Sequence, residues 1–146
     1  MAYLFWILGV IAVDQLSKAL AVSQLIPYHT IPVIDHLLFF TLAKNPGGAF
    51  GILQSNGLLV MIVTAVISIG LLSALLFADL RDGPLKLGLA IIAGGALGNL
   101  LDRARLGYVI DFLDFRVWPV FNLADVAIVV GTGLILLQLL RRASPC

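Results

Sequence analysis

Apolar residues run along this chain in four long stretches, and the polar residues gather at a few points inside or beside them. The cleanest stretch, Leu58 to Phe77, is twenty residues without a charge. As a helix it is long enough to cross about 30 Å of hydrocarbon. The same pattern predicts three further spans, Tyr3 to Val22, about Leu87 to Arg103, and about Asn122 to Leu140. Met1 to Val13 could pass for a signal peptide, but it lacks a basic leading segment and a clean small-x-small cleavage site. It therefore reads as the start of a retained span. Gly94 and Gly98 in the third span have the GxxxG spacing that lets helices approach closely.

The connections are unequal. Ala78 to Lys86, with Asp79, Arg81, Asp82, Gly83 and Pro84, has the chemistry of a tight charged turn. Ser23 to Gly57 is long and only weakly polar, and its segment Ile31 to Ala43 favours a strand by aromatic and β-branched content. A second strand-like run, Tyr108 to Val117, joins spans three and four. Four spans place both termini on one side and both longer connections on the other.

Composition agrees with this reading. Of 146 residues, 61% are hydrophobic and 12% charged, against about 25% charged in a soluble domain. The chain reads as one integral membrane domain over residues 1–146. A net charge of +1 suggests no nucleic-acid partner. Cys146 is the one cysteine, so no disulfide framework exists within the chain, and a free thiol is expected there. His29 and His36 fit no metal-ligand spacing, and no serine or cysteine sits in a nucleophile elbow. No cofactor and no metal are expected.

Chemistry must come from the eight acidic residues, all of them Asp. Ionisable groups in or beside a bilayer are costly and tend to be functional. Asp14 and Lys18 are four apart on one helix face; a structural ion pair accounts for them as well as a site does. Asn99, Asp102 and Arg103 can also face one way, although Asp102 and Arg103 suit a helix end at the interface. A membrane-buried amide such as Asn99 needs partners. Asn122 and Asp125 resemble a capping box in the first turn of a helix. Yet Asp111 lies fourteen residues before Asp125, after an apolar run, and a short reversal can bring the two carboxylates together. Two carboxylates around one water cannot both ionise easily, which supplies a base and an acid. Asn45, followed by Pro46-Gly47-Gly48, is either a turn residue or an amide that binds extended peptide. Asp114, Asp35 and Asp79 read as solvated loop acids.

Together these motifs resemble the lipoprotein signal peptidases, or signal peptidase II, over nearly the whole chain. The resemblance rests on Asp14 to Lys18, Asn45-x-Gly47-x-Ala49-Phe50, Gly98-Asn99-x-x-Asp102-Arg103, Tyr108-Val109-Ile110-Asp111-Phe112 and Phe121-Asn122-x-Ala124-Asp125. The connection from Asp111 to Asp125 is shorter than in many relatives. The resemblance implies an all-α membrane protein of four transmembrane helices with a small extramembrane β-cradle. It implies an aspartic endopeptidase of the bacterial inner membrane that cleaves prolipoproteins just before the diacylglyceryl-modified cysteine. Asp111 and Asp125 would be the catalytic dyad. Asn99, Arg103 and Asn122 would support the dyad or position substrate, Asn45 would hold substrate main chain, and Asp14 and Lys18 would be a pair near the site. Inhibition by the cyclic peptide globomycin and contact with membrane lipid are implied too, and a monomer is expected. The competing reading is a small proton-coupled transporter, but transporters place their binding groups near the midplane, whereas these acids gather towards one face.

Basic residues are nearly balanced between the two sides, with Arg81, Lys86, Arg141 and Arg142 on the termini side. They lean towards cytoplasmic termini. A reporter fused at the C-terminus should then read as cytoplasmic, and a tag near Ser55–Asn56 should be reached from outside; the opposite pattern would contradict this orientation.

Overall fold

The computed structural model describes residues 2–27, 29–46, 56–77 and 83–143. The elements follow in the order α1 (Ala2–Gln24), β1 (Thr30–Ile34), β2 (Leu38–Asn45), α2 (Gly57–Phe77), α3 (Gly83–Leu106), β3 (Val109–Asp114) and α4 (Leu123–Ala143). All four helices are long and apolar enough to cross a membrane. The strands form one antiparallel sheet in the order β1-β2-β3. Because β1 and β2 precede α2 while β3 precedes α4, one small sheet gathers both long connections at the same end of the helices.

The expected strand-like segment from Ile31 to Ala43 is a hairpin. It reverses at residues 35–37, where His36 takes a left-handed backbone (φ 62°). The third span begins earlier than expected. Gly83 to Lys86, read as part of a turn, already belong to α3, because Pro84 has the fixed φ of a first helical turn and the amide it lacks would be unpaired there anyway. Residues 78–82 of that turn, Gly47 to Ser55 and Cys146 lie outside the described residues.

α3 packs against α1, α2 and α4. It can be central because its contact faces carry small residues. A Cβ on Gly94 would sit 2.7 Å from Val10 Cβ, and one on Gly98 would sit 2.6 Å from Asp14 Oδ2. The GxxxG face is therefore the α1 interface. The α4 side is equally close, since a Cβ on Gly95 would lie 2.5 Å from the Ala124 carbonyl oxygen. Ile7, Leu75, Ala90 and Ala93 form the core between α1, α2 and α3. A second core of Ala21, Leu25 and Phe112 joins the end of α1 to the sheet. The outer helix faces stay apolar and exposed, with Phe5, Ile67, Phe77 and Val129 among them, as a lipid solvent allows.

Gly98→Ala should therefore lower thermal stability in detergent, by about 1–3 kcal/mol from overpacking, since its methyl group collides with a buried carboxylate. Gly70→Ala, with nothing within 4 Å of the added carbon, should leave stability unchanged or raise it. Equal melting temperatures for Gly98→Ala and the parent would remove the packing argument.

Candidate active site

β3 supplies the first carboxylate. Asp111 pairs in register with Ala43, and Asn45 lies two residues further along β2 on the same face. That diagonal is within side-chain reach, and Asn45 Nδ2 donates to Asp111 Oδ2 at 2.9 Å. Asn45 is thus the last residue of a strand, and its amide serves Asp111.

The chain then turns back. Phe121 bridges Leu113 on the free edge of β3, with the Leu113 amide donating to the Phe121 carbonyl at 2.8 Å and the Phe121 amide to the Leu113 carbonyl at 3.0 Å. This return brings the start of α4 against Asp111, and Asn122 Nδ2 donates to Asp111 Oδ1 at 2.6 Å. The reversal inferred from the spacing of the two acids is this one.

Asp125 both caps a helix and faces the site. Its amide donates to Asn122 Oδ1 at 3.1 Å, and the Asn122 amide donates to Asp125 Oδ2 at 3.2 Å, a reciprocal capping box. The other carboxylate oxygen, Oδ1, accepts Asn99 Nδ2 from α3 at 2.9 Å. Asp111, Asp125, Asn45, Asn99 and Arg103 all line one cavity of about 310 Å³, closed on its other side by Trp118, Val120, Phe121 and Ile128 among others. Arg103 is 9% exposed, and its Nε is buried without a hydrogen-bond partner among the described residues. A larger apolar cleft of about 600 Å³, lined by Leu37, Phe115, Val117, Trp118, Phe121 and Val130 among others, also reaches Asp125.

Behind the cavity lies a buried ionic cluster. Lys18 Nζ contacts Asp14 Oδ2 at 2.9 Å, Asp102 Oδ2 at 2.8 Å and Asn99 Oδ1 at 2.9 Å. Asp14 Oδ1 accepts the Ala124 amide of α4 at 3.0 Å, and Asp102 Oδ2 accepts the Ile110 amide at 3.2 Å. Gln15 Nε2 donates to Asp102 Oδ1 at 2.9 Å. Of the eight side chains chosen from sequence, Asn45, Asn99, Arg103, Asp111 and Asp125 line the cavity, Asp14 and Lys18 lie in this cluster, and Asn122 is buried between them on Asp111 and Asn99. Asp102, weighed from sequence as a helix-end residue three positions after Asn99, and Gln15 were not among the residues chosen; both belong to the cluster.

Asp114 is a correction. It was read as a solvated loop acid, but it is buried at the end of β3. It accepts Thr41 Oγ1 at 2.9 Å and the Arg116 amide at 2.8 Å. Both faces of β3 are covered, so an acid there has to find partners, and Arg116 takes a left-handed backbone (φ 64°) beside it. Asp35, in the hairpin turn, is exposed as expected.

Burial raises the pKa of Asp111 from its ordinary value to about 7. The Asn45 hydrogen bond opposes the shift, the Asp125 charge adds to it, and Asn122 and Lys18 oppose it. Among the described residues no group of three His, Cys, Asp or Glu side chains is arranged to hold a metal ion.

Four membrane-crossing helices, a small sheet at one end and two carboxylates on one cavity define a polytopic membrane protein with an acidic site. The family model described as Signal peptidase (SPase) II matches residues 6–141. A lipoprotein signal peptidase of Moorella thermoacetica is 46% identical over 98% of this chain and 95% of its own length. One of Pelotomaculum thermopropionicum is 46% identical over 95% of this chain and 92% of its own. A solved structure described as a bacterial membrane enzyme superposes with a TM-score of 0.89 at 29% identity, covering 98% of this chain and 90% of the other. The chain belongs to the signal peptidase II family and is a multi-pass bacterial membrane protease.

A carboxyl group with a raised pKa keeps a proton on folding that the unfolded chain releases. The contribution of Asp111 to stability is fully present below its ordinary value of 3.8 and is lost as pH rises through about 7. Asp111→Asn should flatten stability against pH between those limits, read as melting temperature in detergent. An unchanged slope would show that Asp111 does not carry this proton.

Proposed function

We propose that this protein removes the signal peptide from diacylglyceryl-modified prolipoproteins, cutting just before the lipidated cysteine, with Asp111 and Asp125 as an aspartic dyad. The observation that carries the reading is the meeting of these two carboxylates, from different elements, on one cavity with Arg103. In the mechanism, Asp125 takes a proton from a water as its oxygen attacks the scissile carbonyl carbon, and the proton held by Asp111 goes to the carbonyl oxygen. The tetrahedral intermediate then collapses: the C–N bond breaks, the proton taken by Asp125 passes to the leaving amine, and one hydroxyl of the intermediate returns its proton to Asp111 as the C=O re-forms. The products are a free carboxyl on the signal peptide and a free amine on the lipidated cysteine.

The remaining residues have supporting roles. The unpartnered Nε of Arg103 is a donor ready for charge developing on the substrate oxygen. Asn99 and Asn122 hold the carboxylates, and Asn45, next to Asp111, is placed to hold substrate main chain. The apolar cleft that reaches Asp125 offers room for the substrate's acyl chains or its apolar signal segment, and a globomycin-type cyclic peptide would compete for the same space. The gathering of polar groups beside the sheet, at one end of the helices, favours a site at the outer face with both termini cytoplasmic. It also speaks against a midplane transport site. Membrane lipid would surround a monomer.

The test uses purified protein with a diacylglyceryl-modified precursor. Asp111→Asn and Asp125→Asn should each reduce cleavage about 10²–10⁴-fold while remaining folded. The parent rate should fall as pH rises above about 7, where Asp111 loses its proton, and strong chelators should not change it. Asp125→Ser should be folded yet inactive, and Asp125→Glu, whose carboxylate is displaced by roughly 1 Å, should lose on the order of a hundredfold. Turnover near the parent rate in Asp111→Asn, or an active Asp125→Ser, would overturn the dyad and leave Asp125 as a helix cap alone.

A further inference from the structure

We propose that Lys18 is a positioning residue for cleavage: its ammonium fixes which way the Asn99 amide faces, and through that amide it holds the Asp125 carboxylate in place on the cavity. The inference rests on the reading of Asp125 as a member of the dyad.

The two ends of a carboxamide differ in hydrogen-bonding sense, so the partners decide its orientation. Asn99 Oδ1 receives Lys18 Nζ at 2.9 Å and Asn122 Nδ2 at 3.1 Å. An ammonium has no acceptor, so the Asn99 oxygen must face it and the Asn99 NH₂ must face Asp125 Oδ1. The turned amide would set its NH₂ against two donors and its oxygen against a carboxylate. Asn122 is oriented independently, because its Oδ1 receives the backbone amide of Asp125 at 3.1 Å. Two groups that can only donate, the Lys18 ammonium and the Asp125 backbone amide, thus settle two of the three side-chain amides that touch the dyad, Asn99 and Asn122; Asn45 is the third.

Lys18 is itself immobile. It is 2% exposed, and its three N–H donors match three acceptors, Asp14, Asp102 and Asn99. The surplus negative charge of Asp14 and Asp102 is met by the Ala124 and Ile110 amides and by Gln15. The third bond goes to the amide that holds Asp125, so the acceptor that completes the buried ammonium is also the group whose orientation aims that carboxylate. The charged groups that act on Asp125 are Asp14 and Lys18 of α1, Arg103 of α3 and Asp111 of β3, so the loss of one fixed donor is read in the pH profile.

The test is a double-mutant cycle of Lys18→Gln and Asn99→Leu in the full chain, with kcat, KM and the pH dependence of cleavage measured on the lipid-modified precursor. Lys18→Gln should lower kcat about tenfold to a hundredfold at unchanged KM, and should move the acid limb of the rate profile to higher pH. Asn99→Leu should do the same, and the double variant should fall no further, within about twofold. Multiplied losses, an unshifted acid limb or an unchanged kcat in Lys18→Gln would each overturn the proposal. If Lys18→Gln does not fold, the charge-balanced Lys18→Gln/Asp102→Asn pair takes its place in the cycle, with the same outcomes deciding. Asp111→Asn is assayed alongside. Its retained activity would sink the dyad itself, whereas an inactive Asp111→Asn with multiplied Lys18 and Asn99 losses would sink only the positioning role.

Discussion

One buried ammonium ties this bundle together. Lys18 of α1 reaches Asp14 on its own helix and both Asp102 and Asn99 on α3, while Asp14 accepts the first-turn amide of Ala124 on α4. Three helices thus share one polar knot. Removing charges from water is expensive, and such a cluster persists only when every donor and acceptor is matched. Here the lysine's donors are all used, and each flanking carboxylate takes further donors from backbone or Gln15. The price in desolvation is what makes the arrangement specific, because any shift of α1 along α3 would leave a charge unpaired.

The knot depends on how closely the helices approach, and that depends on glycine. A side chain at position 98 would occupy the place of the Asp14 carboxylate. α3 is accordingly built from small residues on the faces that meet α1 and α4, and from Asn99, Asp102 and Arg103 near its end. Lipid offers no hydrophobic force between helices, so such close packing and internal polar bonds carry the association.

The sheet completes the site from the other side. The register between β2 and β3 sets Asn45 diagonally from Asp111, and the return of Phe121 along β3 delivers Asn122 and Asp125 to the same cavity. Asp125 serves two purposes with its two oxygens, one in the capping box and one towards Asn99. Helix capping and a place on the cavity are therefore compatible in this residue, and the cap is part of how the carboxylate is aimed. The family membership and the geometry agree on a membrane protease.

Much of this was legible in the sequence by itself. Twenty uncharged residues from Leu58 to Phe77 admit little but a membrane helix, because an unpaired backbone cannot cross lipid. The pairing of Asp14 with Lys18 followed from helical periodicity, and the juxtaposition of Asp111 with Asp125 from the short chain between them. Local chemistry could not decide the rest. The hairpin within 31–43 and the buried state of Asp114 depend on strands that pair across distant segments. Gln15 joined the cluster only because α1 and α3 touch at Gly98. Whether Asn122 and Asp125 formed a cap or faced the cavity could not be chosen from their spacing, since one i, i+3 pattern serves both. Tertiary packing made both true, because only the approach of α3 brings the Asn99 amide to the second oxygen of Asp125.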